Sequence, residues 1–171
     1  MAVLAGAAPE AVASALARFG GVARRFEHRG QAAGVVLVDD YAHLPTEVGA
    51  VLATARSGGF ARVVAVFQPH RFSRTEALWS SFGGAFDDAD VLYVTDVYPS
   101  GEAPRPGVSG RLVADAVLRD RPGADVRYVA RREDLLDALV GELRDGDLCL
   151  TMGAGDLTAV PDQLRARLGA S

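Results

Sequence analysis

Short, almost continuously apolar runs alternate along this chain with longer segments in which apolar residues recur every three or four positions. The runs cover 35–38, 63–67, 91–95, 126–129 and 148–151, and almost continuously apolar runs of that length fit strands covered on both faces. Between them, Val48, Val51, Leu52 and Ala55 mark one helix, and Leu78, Phe82, Ala85 and Phe86 a second. Leu112, Val113, Ala116 and Val117 mark a third, Leu135, Leu136, Leu139, Val140 and Leu143 a fourth, and Val160, Leu164 and Leu168 a fifth. Ser73 with Glu76 three residues later predicts a capping box for the second helix.

The start of the chain reads differently. Val12, Leu16 and Phe19 give residues 9–19 a helical spacing that Gly20-Gly21 ends, so 1–21 is expected to be an appended helix. Arg25-Phe26-Glu27 and the run 35–38 are separated by Gly30-Gln31-Ala32-Ala33-Gly34, which predicts two strands joined by a glycine-containing turn, the first at a sheet edge. The alternation of strand and helix requires mostly parallel pairing with right-handed crossovers. The expected fold is therefore α/β: a doubly wound, mostly parallel (mixed) Rossmann-like sheet with helices on both faces and one antiparallel edge strand, spanning 22–171. Residues 98–107, with Pro99, Pro104, Pro106, Gly101 and Gly107, read as a surface loop.

At 171 residues, 49% hydrophobic and 23% charged, the chain can bury one core. Its net charge of −4 argues against a nucleic-acid or anionic-membrane partner. All 18 basic residues are arginine, so a phosphate-gripping or carbamylated lysine cannot come from this polypeptide. The single Cys149, inside an apolar run, is expected to be buried. No signal peptide or long apolar span is indicated, which makes the cytoplasm the expected location.

In open α/β sheets ligands bind beyond the carboxyl ends of the strands. Those ends carry Asp39-Asp40-Tyr41-Ala42-His43, Gln68-Pro69-His70-Arg71, Asp96-Val97-Tyr98 and Gly153-Ala154-Gly155-Asp156. Aspartate, glycine and proline are also ordinary turn formers. What favours a site is the set. Arg71 and Arg74 sit three apart near a helix start, where backbone N–H groups favour an anion and guanidinium groups can grip carboxylate or phosphate. Gly153-Ala154-Gly155 permits close backbone approach by a ligand. A zinc site, a GxSxG hydrolase and a Walker-type phosphate loop all lack their residues here. A receiver-like signalling domain would need a lysine on a late strand, and none exists.

In Gly21-Val22-Ala23-Arg24-Arg25-Phe26-Glu27, Asp39-Asp40-Tyr41-Ala42-His43-Leu44-Pro45-Thr46-Glu47, Phe67-Gln68-Pro69-His70-Arg71-Phe72-Ser73-Arg74-Thr75 and Gly153-Ala154-Gly155-Asp156, the chain resembles the Mur ligase family. The third stretch resembles its alanine-adding branch. Members of that family have domains for a UDP-sugar, for ATP and for the incoming amino acid. The resemblance makes this chain the third, with residues 9–19 a remnant of the central domain. It implies an ATP-dependent ligase that adds L-alanine to UDP-N-acetylmuramate through an acyl phosphate in peptidoglycan synthesis. The missing N-terminal and central domains would then be partners, the central one holding most of the contacts to ATP and Mg2+.

By the same resemblance Arg25, Asp40 and His43 are expected at ATP, Asp40 near the ribose and Arg25 near the phosphates. Arg71 and Arg74 are the catalytic candidates and, with His70, hold the alanine carboxylate, while Asp156 orients its ammonium group. Arg24, Asp39 and Tyr98 are read as ion-pair or strand-end residues. The family pattern has a second histidine where Leu44 stands. Leu44 is expected to pack under the helix starting near Pro45, which leaves His43 as the functional partner. The competing reading is a stand-alone nucleotide- or carboxylate-binding α/β module without catalysis.

Overall fold

The computed structural model describes residues 5–18 and 21–170. Helix α1 (Pro9–Ala17) has no buried residue. Phe19 and Gly20, expected to close that helix, lie outside the described residues.

Strands β1 (Glu27–Ala32), β2 (Val35–Asp40), β3 (Arg62–Phe67), β4 (Val91–Val94), β5 (Asp125–Tyr128) and β6 (Asp147–Met152) form one sheet in the order β1-β2-β6-β3-β4-β5. Only β1–β2 is antiparallel; every other pair is parallel. The expected mixed sheet with one antiparallel edge strand is therefore observed. The edge strand itself lies further along than expected. Gly30, Gln31 and Ala32 belong to β1, beyond a register shift between His28 and Gly30, and the turn shrinks to Ala33-Gly34. Both turn residues have positive φ, 49° and 75°, the backbone that a tight two-residue hairpin demands.

Alternate residues of each central strand feed opposite faces. Val63, Ala65 and Phe67 of β3, with Leu148 and Leu150 of β6, pack with Val48 and Leu52 of α2 (Pro45–Arg56) and Val113 and Val117 of α4 (Arg111–Asp120). Val64 and Val66, with Cys149, pack with Leu135 and Leu139 of α5 (Arg132–Glu142) and Leu164 of α6 (Val160–Leu168). Cys149 is 1% exposed, as its apolar run implied.

The second predicted helix is shorter than its apolar spacing suggested. Helix α3 (Phe72–Leu78) passes into a 3-10 turn (Trp79–Phe82), and Gly83-Gly84 follow, which weakens any helical continuation. Phe82 and Phe86 still reach the core, their rings 5.1 and 5.3 Å from that of Phe67. The expected Ser73–Glu76 cap does not form. The helix begins at Phe72, so Ser73 is already inside it, and its N–H and Oγ both bond to Glu102 at 2.8 and 2.5 Å. Glu76 pairs with Arg105 instead.

The order places β6 between β2 and β3. Residues following β2, β6, β3 and β4 thus emerge side by side on one edge, the arrangement in which α/β sheets open a crevice.

Candidate functional site

At the left of this edge, β2 ends in two buried aspartates with different partners. Asp39, 1% exposed, accepts from Thr151 Oγ1 and Thr158 Oγ1 at 2.7 Å each and pairs with Arg24 Nε at 3.2 Å. Arg24 also donates to the carbonyls of Gly153 and Gly155. The ion-pair reading of Arg24 and Asp39 therefore holds, and the pair ties the chain's entry to the glycine loop after β6. Asp40, 2% exposed, accepts from the N–H of Phe26 through one oxygen and of Ala42 through the other, each at 2.7 Å. Its carboxylate organises the corner where the entry segment crosses β2.

Arg25 is exposed, with its guanidinium 5.8 Å from the Tyr41 ring. That ring also lies 4.9 Å from the guanidinium of Arg24 and edge-on to His43 at 5.3 Å. His43 in turn stands 5.7 Å from His70, whose ring stacks on Tyr98 at 5.8 Å. A row of four rings, Tyr41, His43, His70 and Tyr98, thus runs from the end of β2 to the loop after β4.

Backbone pairing fastens the far end of this row. His70 and Tyr98 form an isolated parallel bridge, with Tyr98 N–H donating to Pro69 at 2.9 Å and Arg71 N–H to Tyr98 at 2.8 Å. The bridge holds Arg71 at φ 69°, ψ 137°, sparsely populated for a residue with a side chain. Arg71 is exposed, and among the described residues no side-chain hydrogen bond or ion pair engages its guanidinium. Arg74 Nη1 lies 3.2 Å from His70 Nδ1. Burial first, then the charges of Arg74, His43 and Arg71, push the His70 imidazole below its ordinary pKa. At the start of α3 the Ser73 N–H is taken by Glu102, so the short helix receives negative charge from within the chain.

After β6, the loop packs against β3's exit. A Cβ on Gly155 would fall 2.4 Å from Tyr98 Cγ and 2.5 Å from Gln68 Oε1. Asp156 is half exposed, accepts from Gln68 Nε2 at 2.9 Å and lies 3.7 Å from Arg132. Gln68 is buried, and its Oε1 has no hydrogen-bond partner among the described residues. The edge therefore offers exposed cations at Arg25 and Arg71, a row of rings, and a carboxylate at Asp156, a set suited to a ligand with both anionic and cationic groups.

Residues 24–155 match the family model described as Mur ligase, glutamate ligase domain. The chain belongs to that family. Among curated proteins it is 50% identical over 161 residues to the UDP-N-acetylmuramate–L-alanine ligase of Nitratidesulfovibrio vulgaris, covering 94% of this chain and 35% of that protein. It is 54% identical over 160 residues to the protein of the same name from Kineococcus radiotolerans, covering 93% and 34%. Among solved structures, the UDP-N-acetylmuramate–alanine ligase of Thermotoga maritima superimposes with a TM-score of 0.79 at 27% identity, over 96% of this chain and 34% of that one. The chain thus spans about a third of the length of the relatives it matches.

Within this Mur ligase domain, Leu44 does not fill the place foreseen for it. It is half-buried at the start of α2 but absent from the packed core, and what it contributes is an N–H donated to Glu47 Oε2 at 3.2 Å. Glu47 and Gln68 were legible as parts of motifs without a role. The His43-x-x-x-Glu47 spacing was the available signal for the first, since residues four apart meet at a helix start. Glu102 and Arg132 carried no signal, being brought in from a loop and from a helix distant in sequence.

Proposed function

We infer that this chain is the C-terminal, amino-acid-accepting domain of an ATP-dependent ligase that joins L-alanine to UDP-N-acetylmuramate in peptidoglycan synthesis. The observation that carries this reading is the exposed, conformationally held Arg71 beside Arg74 and His70 at the carboxyl end of β3, in a chain about half identical to proteins bearing that activity's name. ATP phosphorylates the muramate carboxylate, the amine of alanine attacks the acyl phosphate, and phosphate leaves.

Arg71 and Arg74, with His70, hold the alanine carboxylate and face the charge that develops on the acyl group. Asp156 orients the ammonium group. Arg25 reaches the nucleotide phosphates, and Asp40 shapes the corner beside the ribose. His43, expected at the nucleotide, stands next to His70 and joins the amino-acid side in this reading. Helix α1, lacking a buried residue, belongs to the central domain. Mg2+, when bound, neutralises ATP phosphate charge. In this reading its ligands come mainly from the central domain; among the described residues no group of three or more His, Cys, Asp or Glu side chains is arranged to hold a metal ion. No described helix is long and apolar enough to cross a membrane.

The test is product formation. The full-length protein should release phosphate only when ATP, Mg2+, L-alanine and UDP-N-acetylmuramate are all present, and the 171-residue chain alone should release none, lacking the groups that phosphoryl transfer requires. Turnover with a different amino acid in preference to L-alanine would overturn the substrate assignment. A full-length protein that binds nucleotide or carboxylate but never turns over would make it a binding module.

A further inference from the structure

The hydrogen bonds around the two histidines decide which nitrogen of each carries a proton. Arginine only donates, so His70 Nδ1, 3.2 Å from Arg74 Nη1, is the acceptor, and the His70 proton sits on Nε2. His43 is the reverse case. Its Nδ1 lies 2.9 Å from the carbonyl of Tyr41, which only accepts, so Nδ1 carries the proton and Nε2 of the neutral ring holds the lone pair. No hydrogen bond within the described residues engages that Nε2.

Glu47 secures this state from the first turn of α2. Its Oε2 is 3.7 Å from His43 Nδ1 and is anchored by the N–H groups of His43 and Leu44 at 3.1 and 3.2 Å. Burial opposes its ionisation, but those two bonds outweigh burial and hold the carboxyl below its ordinary pKa. A fixed carboxylate beside Nδ1–H sets the tautomer and the orientation of the ring. The other charged or titratable groups around the ring are Tyr41, His70 and, acting on Glu47, Arg25. Leu44 fits this arrangement, since only its backbone N–H is used.

Resting on the ligase reading above, we propose that His43 Nε2 accepts a proton from the ammonium group of the incoming amino acid, with Glu47 as its positioning residue. An ammonium nitrogen has no lone pair and cannot attack. It gives one proton to His43 Nε2, the freed pair forms the C–N bond to the acyl carbon, and the C–O bond to phosphate breaks. The second nitrogen proton leaves with the phosphate, so the amide keeps one. Acyl-phosphate formation, the earlier half of the reaction, needs no such acceptor.

The full-length ligase carrying His43→Ala separates the two halves. Hydroxylamine, already neutral near pH 7, should intercept the acyl phosphate as hydroxamate at close to the wild-type rate. The alanine-dependent rate should fall about 100-fold or more, the range of a lost general base, and added imidazole should restore part of it in proportion to concentration. Glu47→Gln should lower the alanine-dependent rate and leave hydroxamate formation and the KM for ATP unchanged, with Glu47→Asp recovering activity. His43→Gln serves the same comparison if the alanine variant does not fold. An alanine rate within about threefold of wild type, or equal loss of hydroxamate and alanine product without imidazole rescue, overturns the proposal. If the wild-type protein makes neither product, the ligase reading itself falls, and this proposal with it.

Discussion

The N–H of Arg71 donates to the carbonyl of Tyr98 across 2.8 Å, and Arg71 accepts in return at its own carbonyl from the N–H and Oγ1 of Thr75 at 3.0 and 2.8 Å. These bonds hold a non-glycine residue at φ 69°, a conformation that costs about 1–3 kcal/mol and persists where the surroundings over-determine it. Strain and function can therefore be separated at one position. Arg71→Gly should leave the thermal midpoint unchanged or raised, because glycine adopts this φ freely. In the full-length ligase the same variant should lose alanine-dependent efficiency. Arg71→Lys keeps the charge but not the planar fork, and should still lose about 10- to 150-fold, the equivalent of roughly 1.5–3 kcal/mol for a charge-assisted bond. Wild-type kcat/KM for alanine in Arg71→Lys would transfer the clamp to Arg74.

Asp40 behaves first as a structural anchor. Replacing it with alanine leaves the Phe26 N–H without its carboxylate acceptor, and an unsatisfied amide at a part-buried site costs about 1–3 kcal/mol. Urea denaturation should show that loss in the 171-residue chain itself, with no ligand present. In the full-length ligase the KM for ATP should rise more than that for alanine. A variant that is as stable as wild type but weak for ATP would make Asp40 a nucleotide contact alone.

The sheet's centre was legible because β2, β3, β4 and β6 are buried on both faces, which forces runs such as Val63-Val64-Ala65-Val66-Phe67. The edge was not. β1 contains Gly30-Gln31-Ala32, with no apolar alternation to distinguish strand from turn, and its pairing to β2 supplies what the residues do not announce. Local motifs located the site, since QPHR and DDYAH sit where strands end. The contacts that shape it join residues far apart in sequence, Arg24 to Gly153, Ser73 to Glu102 and Arg132 to Asp156. A capping pattern at Ser73 cannot reveal that a loop carboxylate 29 residues away competes for the same N–H.

Acid sensitivity should come from the opposite end of the sheet. Glu142 of α5 receives Arg62 at 2.8 Å and Arg127 at 2.7 Å. Hydrogen bonds from Arg127 and then Arg62 hold its carboxyl below the ordinary value of 4.5. A carboxylate with a lower pKa in the folded state contributes stability that is present above that ordinary value and lost as pH falls through the folded one. Glu142→Gln should therefore be less stable than wild type at pH 7, by about 1–3 kcal/mol, and the gap in urea midpoints should narrow progressively as pH falls below 4.5. A gap that stays constant from pH 7 to pH 3 would show that this ion network contributes no pH-dependent stability.

Gly155 is required by space. Its φ of −100° is not the positive φ that favours glycine, yet a Cβ would meet Tyr98 Cγ at 2.4 Å and Gln68 Oε1 at 2.5 Å. Neither neighbour can yield cheaply: Tyr98 is bridged to His70 and Arg71 through its backbone and stacked on His70 by its ring, and Gln68 is buried and bonded to Asp156. Gly155→Ala must then push the loop outward or turn the Tyr98 ring, and overpacking of this kind costs about 1–3 kcal/mol. Both movements disturb the amino-acid side of the crevice, since one carries Asp156 and the other His70. The expected result in the full-length ligase is a higher KM for alanine, an unchanged KM for ATP and a lower melting temperature. Gly155→Ala combined with Tyr98→Ala removes the nearest obstructing atom and should recover packing at the loop, a non-additive pairing that two independent sites would not give. Additive losses in the double variant would mean that the glycine serves backbone freedom and not clearance.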